Sequence, residues 1–235
     1  MRVLRPIRRP KDIPILLHLT EPRKTFGPVL AMIILTVLFQ LAAPDTQWSR
    51  MVAVVLQGSV VLIALRAAGA HPRLFNVCAL LVGLLVAAGV VAEPFANFGP
   101  EVVRIISLAL ILVTPLAVIG GVVRELEEDG HVTVQTVLCG LCLYLLLGMA
   151  FAFAFAALED LSGNSFFAHG IAGSPNDFIY FSLVTLTTTG YGDFTAATEL
   201  GRTFAVTEAL MGQIYLVTVL AVIVSNVKRR QIDGS

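Results

Sequence analysis

The stretch SPNDFIYFSLVTLTTTGYGD, residues 174–193, combines a helix start with a return rich in Thr and Gly. Ser174 is a favoured N-cap residue, Pro175 suits the first helical position, and Asp177 suits the first turn. The moderately apolar part of the stretch, residues 177–187, is too short to cross a bilayer. The pattern therefore predicts a short helix followed by a non-helical strand.

The composition of the whole chain places this stretch in a membrane protein. Of 235 residues, 57% are apolar and 14% are charged, and the mean hydropathy is +0.85. Soluble domains are about 45–50% apolar and about 25% charged. These values exclude a disordered chain, a disulfide framework and a single soluble core. The 16 basic and 16 acidic residues balance, so the net charge indicates no particular partner.

Apolar runs on both sides of the short helix are long enough to span a membrane, which takes about 20 residues. Breaks that contain Pro, Gly or charged residues separate the runs, and none of the runs alternates as a barrel strand does. We therefore predict an all-α membrane protein with six transmembrane helices plus a re-entrant helix and loop. The six runs are residues 26–43, 48–65, 74–92, 102–123, 132–158 and 203–227.

The distribution of Lys and Arg orients these runs. With a cytoplasmic N-terminus, 13 basic residues lie inside and 3 outside, which satisfies the positive-inside rule. Both termini are therefore predicted to be cytoplasmic, and residues 159–202 lie outside, between the fifth and sixth helices. The short helix must then enter the membrane from outside and return. Irregular backbone at that depth is tolerated only when it is buried in protein or lines water, so this loop is the candidate functional site.

The returning segment TTTGYGD, residues 187–193, resembles the selectivity filter of the potassium-channel family. Its two glycines permit backbone angles closed to other residues, so that successive carbonyls can point one way. The resemblance implies a homotetramer in which four such strands replace the hydration shell of K⁺. A tyrosine between the two glycines favours K⁺ over Na⁺. The implied filter residues are Thr188, Thr189, Gly190, Tyr191 and Gly192, with K⁺ held at the first four.

The resemblance also assigns support for the filter. Tyr180 and Asp193 occupy family positions behind the filter, and we predict a hydrogen bond from the Tyr180 hydroxyl to the Asp193 carboxylate. Glu208 is an ionisable residue inside the sixth helix, where charge is costly and indicates function. We expect Glu208, either ionised or protonated, to bond to pore-helix hydroxyls such as those of Thr185 or Thr187. The alternative is a solvated glutamate at headgroup level.

The sixth helix carries the predicted hinge and gate. Gly212 lies where the family commonly has a glycine that permits bending, although a small residue for helix packing explains it equally well. On one helix face follow Gln213, Leu216, Leu220 and Val224. We expect this face to line the inner cavity and to form an apolar constriction.

The first four helices resemble a voltage sensor in topology only. The fourth has Arg104 and Arg124 at its two ends, 20 residues apart, instead of a repeated series of charges, so we expect weak or no voltage dependence. The linker 124–131 is short, which favours packing of each four-helix domain against its own pore domain. The predicted divisions are a cytoplasmic segment (1–25), a four-helix domain (26–125), a pore domain (132–230) and a tail (231–235).

The leading hypothesis is a passive K⁺-selective channel in a bacterial inner membrane, to which each chain supplies one pore loop. The alternatives are a secondary ion transporter subunit or a non-conducting scaffold that reuses a filter-like loop. The chain shows no catalytic constellation or phosphate-binding loop, so we expect no enzyme activity, no cofactor other than the permeant ion and no nucleic-acid partner. Eight residues follow Val227, so we expect no cytoplasmic ligand-binding domain.

Overall fold

The computed structural model describes residues 25–92, 109–110, 113–116, 118–119 and 134–233, with only the backbone for residues 74, 89–92, 220 and 222–233. These residues form helices joined by short loops, and the only strand-like pairing among them is an isolated bridge between Phe167 and Ala196. The helices are α1 (Gly27–Ala42), α2 (Gln47–Ala67), α3 (Pro72–Ala92), α4 (Val134–Ser162), α5 (Pro175–Leu186) and α6 (Glu199–Asp233). A 3-10 turn, Ala168–Gly170, lies between α4 and α5.

The predicted all-helical class is confirmed, and five of the predicted apolar runs fall on α1, α2, α3, α4 and α6. Most of the remaining run, 102–123, lies outside the described residues. Within the described part, α2 and α4 are long and apolar enough to cross a membrane, and Gly27–Ala42 and Phe75–Ala88 form shorter apolar helices. The number of six spans therefore stays a prediction. The predicted N-terminal segment, the 124–131 linker and the last two tail residues also lie outside the described residues.

The first helix packs against α2 and against α4, the helix that leads into the candidate site. Buried apolar side chains of α1, α2 and α4 form one core cluster, which includes Ile33, Val60 and Leu146. Burial of such side chains is the main favourable term in folding. In a separate contact, the backbone N–H of Phe26 donates to Gln135 Oε1 at 2.7 Å.

The short helix α5 lies between α4 and α6, with its start tied to α1. The Asn176 amide donates to the carbonyl of Ala43, just after α1, at 2.7 Å. Contacts therefore run from α1 to both α4 and α5. A second core cluster backs α5 with rings from α4, α5 and the loops around α5: Phe155, Phe166, Phe167, Phe178 and Phe181.

Candidate functional site

The start of α5 is set by reciprocal hydrogen bonds. Ser174 Oγ accepts from the backbone N–H of Asp177 at 3.3 Å, and Asp177 Oδ2 accepts from the backbone N–H of Ser174 at 2.9 Å. Each bond satisfies an N–H group that would otherwise be unpaired at the helix start. Pro175 occupies the first turn, where its missing N–H costs nothing. The predicted helix start is therefore confirmed.

Carbonyl groups in the last turn of α5 accept hydrogen bonds from the first residues of the TTTGYGD segment. The backbone N–H of Thr188 donates to the Thr185 carbonyl at 2.9 Å. The N–H groups of Thr189 and Gly190 both donate to the Val184 carbonyl, at 2.9 and 3.4 Å. These bonds direct the N–H groups of the strand toward the helix. The strand is therefore anchored through its backbone, and its position depends on where α5 ends.

Backbone handedness alternates along the strand. Thr188, Gly190 and Gly192 have φ values of 56°, 55° and 81°, whereas Thr189 and Tyr191 do not have positive φ. Alternating left- and right-handed residues reverse successive peptide planes, which brings the like polar groups of the backbone to one side. This is the geometry that a stack of carbonyl ligands requires.

Thr188 is the unexpected member of this alternation. A β-branched residue with positive φ is a steric outlier, and such strain gathers at functional sites. Nothing in the sequence signals it, because the two glycines are the only residues of the strand that favour this conformation. The backbone hydrogen bond from Thr188 to Thr185 holds the residue there.

Aromatic and acidic side chains support the strand from behind. The Tyr180 hydroxyl donates to Asp193 Oδ2 at 2.8 Å, which is the predicted hydrogen bond. The rings of Tyr180 and Tyr191 stack with 6.5 Å between centroids and 9° between planes, and Phe194 packs edge-on against Tyr180. The hydrogen bond to Asp193 raises the pKa of the Tyr180 phenol, because it stabilises the protonated form.

Glu208 has a different partner from the one expected. Its Oε1 lies 2.5 Å from Ser182 Oγ, whereas the Thr187 hydroxyl donates to the Leu183 carbonyl at 2.7 Å. The predicted bond to a hydroxyl of α5 is therefore confirmed, but Thr185 and Thr187 were the wrong residues, because Ser182 is the α5 hydroxyl on the face toward α6. The side chain of Glu208 is fully buried, which also rules out the solvated alternative.

The predicted hinge residue Gly212 packs directly against the end of α5. A Cβ atom there would lie 2.5 Å from the backbone oxygen of Leu186. Gln213 and Leu216 are exposed in the single chain, and the side chains of Leu220 and Val224 lie outside the described set. The hinge and the cavity-lining face therefore stay predictions, and the close packing at Gly212 is an observed fact.

Two tyrosines that the sequence analysis missed also hold the site. The Tyr144 hydroxyl donates to the carbonyl of Leu186 at 3.1 Å, and the Tyr215 hydroxyl donates to the carbonyl of Gly140 at 2.6 Å. Their rings stack with centroids 5.7 Å apart. Both bonds join residues that are distant in the chain, so no local pattern indicates them.

Two comparisons relate parts of the chain to ion channels. Residues 140–229, which include α5, the strand and most of α6, match the family described as "Ion channel". A stretch of 34 residues is 59% identical to "Probable potassium channel protein 2" of Methanocaldococcus jannaschii. That stretch is 14% of this chain and 10% of the relative's length. The matches support an ion-channel family and, with the apolar helices, an integral membrane protein.

Proposed function

We propose that the chain is a subunit of a homotetrameric, K⁺-selective channel that conducts passively. The observation that carries the proposal is the alternating backbone of residues 188–192 directly after the capped helix α5. Backbone carbonyls that converge on one side replace the water around K⁺. Thr188, Thr189, Gly190 and Tyr191 supply these ligands, and the Thr188 hydroxyl adds a further oxygen at the inner end.

One chain supplies only one quarter of such a site. Residues 187–193 are exposed in the single chain, and 71% of the Tyr191 side chain is accessible. Large apolar side chains of α6, such as Phe204, Leu210 and Ile214, are also exposed. A closed ring of four chains covers the filter strand on its open side and presents four sets of carbonyls to one ion. The proposal includes six spans per chain and cytoplasmic termini, which the distribution of Lys and Arg supports.

The proposed channel has weak or no voltage dependence. Each elementary charge that crosses the membrane field contributes about 2.3 kcal/mol per 100 mV. The fourth predicted run provides only Arg104 and Arg124, at opposite ends. The stimulus that opens the pore is therefore expected to come from the membrane, the pore itself, pH or a partner.

The test is ion flux through purified protein in liposomes, with K⁺, Rb⁺ and Na⁺ compared and Ba²⁺ as blocker. We expect K⁺ and Rb⁺ flux that Ba²⁺ blocks, with little Na⁺ flux. Gly190→Ala should abolish the selective flux, because a side chain at a φ of 55° disfavours the conformation that aligns the carbonyls.

Gly163→Ala is the matched control for this variant. Gly163 has a φ of 63° and open space around it, but it lies in the loop after α4, outside the filter. The control carries the same backbone strain and should keep its flux. Coupled, saturable transport would favour a transporter, and absence of flux in the wild-type protein at every voltage and pH would favour a scaffold.

A further inference from the structure

Ser182 lies between two oxygen atoms that both need a proton. Its hydroxyl oxygen is 2.6 Å from the carbonyl oxygen of Gly148 on α4 and 2.5 Å from Glu208 Oε1 on α6. The three groups are buried, and α5 contributes only Ser182 to this contact. Two such short contacts between oxygens each require one hydrogen atom between them.

The available hydrogen atoms can be counted. A serine hydroxyl has one hydrogen to donate, and a backbone carbonyl has none. If Ser182 donates to Glu208, no hydrogen is left for the contact with Gly148. If Ser182 donates to Gly148, the hydrogen in the second contact must come from the Glu208 carboxyl group. Only a protonated Glu208 satisfies both contacts.

The surroundings of Glu208 agree with an uncharged carboxyl group. Its Oε2 atom has no hydrogen-bond partner among the described residues, and a buried carboxylate without a compensating charge is costly. The hydrogen of the nearby Tyr144 phenol is already used, because it is donated to the carbonyl of Leu186. The one ion pair found in the described part of the chain, Arg50 with Asp45, is elsewhere.

We infer that Glu208 is a neutral carboxylic acid that donates to Ser182, which in turn donates to the Gly148 carbonyl. These two hydrogen bonds connect α6 to α5 and α5 to α4. Ser182 and Glu208 are positioning residues, since they act on the ion only through α5. The inference deepens the proposed function, because α5 carries the filter strand at its C-terminal end.

Close packing on both sides of α5 lets the two hydrogen bonds of Ser182 determine the position of this helix. A Cβ atom on Gly148 would lie 3.0 Å from Leu183 Cδ2 and 3.1 Å from Leu186 Cδ2. Gly212 touches the other side at the Leu186 carbonyl. Such close packing transmits a shift of α5 to the helices on both sides. Displacement of α5 then moves the filter amides that its last carbonyls hold.

Infrared spectroscopy of the purified protein in lipid tests the inference without any need for conduction. A protonated carboxyl group absorbs above the amide band and apart from ionised carboxylates. We expect such a band at neutral pH in the wild-type protein and its loss in Glu208→Gln. Ser182→Ala should shift the band, because the hydrogen-bond acceptor of the acid is removed. A wild-type protein without the band, or a band that persists in Glu208→Gln, overturns the inference.

Glu159→Gln is the matched control. Glu159 accepts from the backbone N–H groups of Phe166, at 2.8 Å, and Gly173, at 3.3 Å. It therefore needs no proton of its own for these bonds, and its replacement should leave the infrared band in place.

Liposome flux gives the second readout. Glu208→Gln has an amide that can still donate to Ser182, so it should retain more K⁺ flux than Glu208→Leu, which cannot donate. Equal loss in the two variants contradicts the positioning role. If the wild-type protein shows the infrared band but no flux, the channel proposal fails and the protonated link stands.

Discussion

Tyr180 and Asp193 are 13 positions apart and meet behind residues 188–192, the proposed filter strand. Tyr180→Phe removes the donated hydrogen bond and keeps the ring that stacks on Tyr191. We expect faster loss of K⁺ current during sustained conduction, because Asp193 is then free to move and to carry Gly192 with it. The measurement is the inactivation rate of reconstituted channels. The double variant Tyr180→Phe with Asp193→Asn should inactivate no faster than either single variant. Additive effects on the inactivation rate would contradict a bond between the two side chains.

The pH dependence of inactivation provides a second test of the same hydrogen bond. The pKa of the Tyr180 phenol is raised by its donation to Asp193. The hydrogen bond therefore stabilises the folded protein fully below the phenol's pKa in the unfolded state, about 10. This stabilisation is lost as the pH rises through the higher pKa of the phenol in the folded state. Wild-type inactivation should be constant from neutral pH to about 10 and accelerate only beyond it. Tyr180→Phe should lack this alkaline acceleration.

Features of the site with a local cause can be predicted from the sequence, and features that depend on distant contacts cannot. The two glycines of the strand, the N-cap at Ser174 and the Tyr180–Asp193 bond can be predicted, because sequence motifs contain them. The positive φ of Thr188 cannot, since the end of α5 imposes it. The Ser182–Glu208 contact also depends on the rotation of two helices whose residues are 26 positions apart.

At the scale of elements, hydropathy predicts helices well because each apolar run must satisfy its own backbone hydrogen bonds in lipid. The bounds of α1, α2 and α3 follow the Pro- and charge-containing breaks between the runs. The packing between helices is less predictable, because neither α4 nor α6 has one distinct apolar face that marks its contact side. Which small residue touches which neighbour therefore becomes visible only in the structure.

The contact between α6 and α5 gives a prediction at this scale. In Gly212→Ala, the new methyl group would meet a backbone oxygen at 2.5 Å, so α6 must move away from α5. Overpacking of this kind costs about 1–3 kcal/mol. We expect a lower temperature of thermal unfolding for the purified protein. If Gly212 acts only as a hinge, the variant should instead open and close abnormally with unchanged thermal stability.

Gly83→Ala is the control for this experiment. Gly83 lies within α3, and a Cβ atom there would meet nothing within 4 Å. Alanine in an unhindered helix position is favoured over glycine by about 0.5–1 kcal/mol. The control should therefore be as stable as the wild-type protein or slightly more so. A comparable loss of stability in both variants would contradict the specific contact at Gly212.

At the scale of the whole molecule, the contacts join the first helices to the pore region of the same chain. Asn176 at the start of α5 donates to the carbonyl of Ala43, and Phe26 donates to Gln135 on α4. In a tetramer with exchanged domains, these contacts would form between different subunits instead. The two arrangements differ in whether a subunit can flex its first helices without pulling on the filter of a neighbour.

Cross-linking distinguishes these arrangements. In a background in which Cys78, Cys139 and Cys142 are replaced by alanine, Ala43→Cys and Asn176→Cys are combined and the membranes are oxidised. We expect a bridge within one chain, so that the denatured protein keeps the mass of a monomer and the two peptides appear linked by mass spectrometry. Each single-cysteine variant is the control for chance collisions. The bridge forms where the two positions meet. Covalent dimers, trimers or tetramers that appear only in the double variant would therefore show an exchanged arrangement. The intra-chain contact would then be wrong.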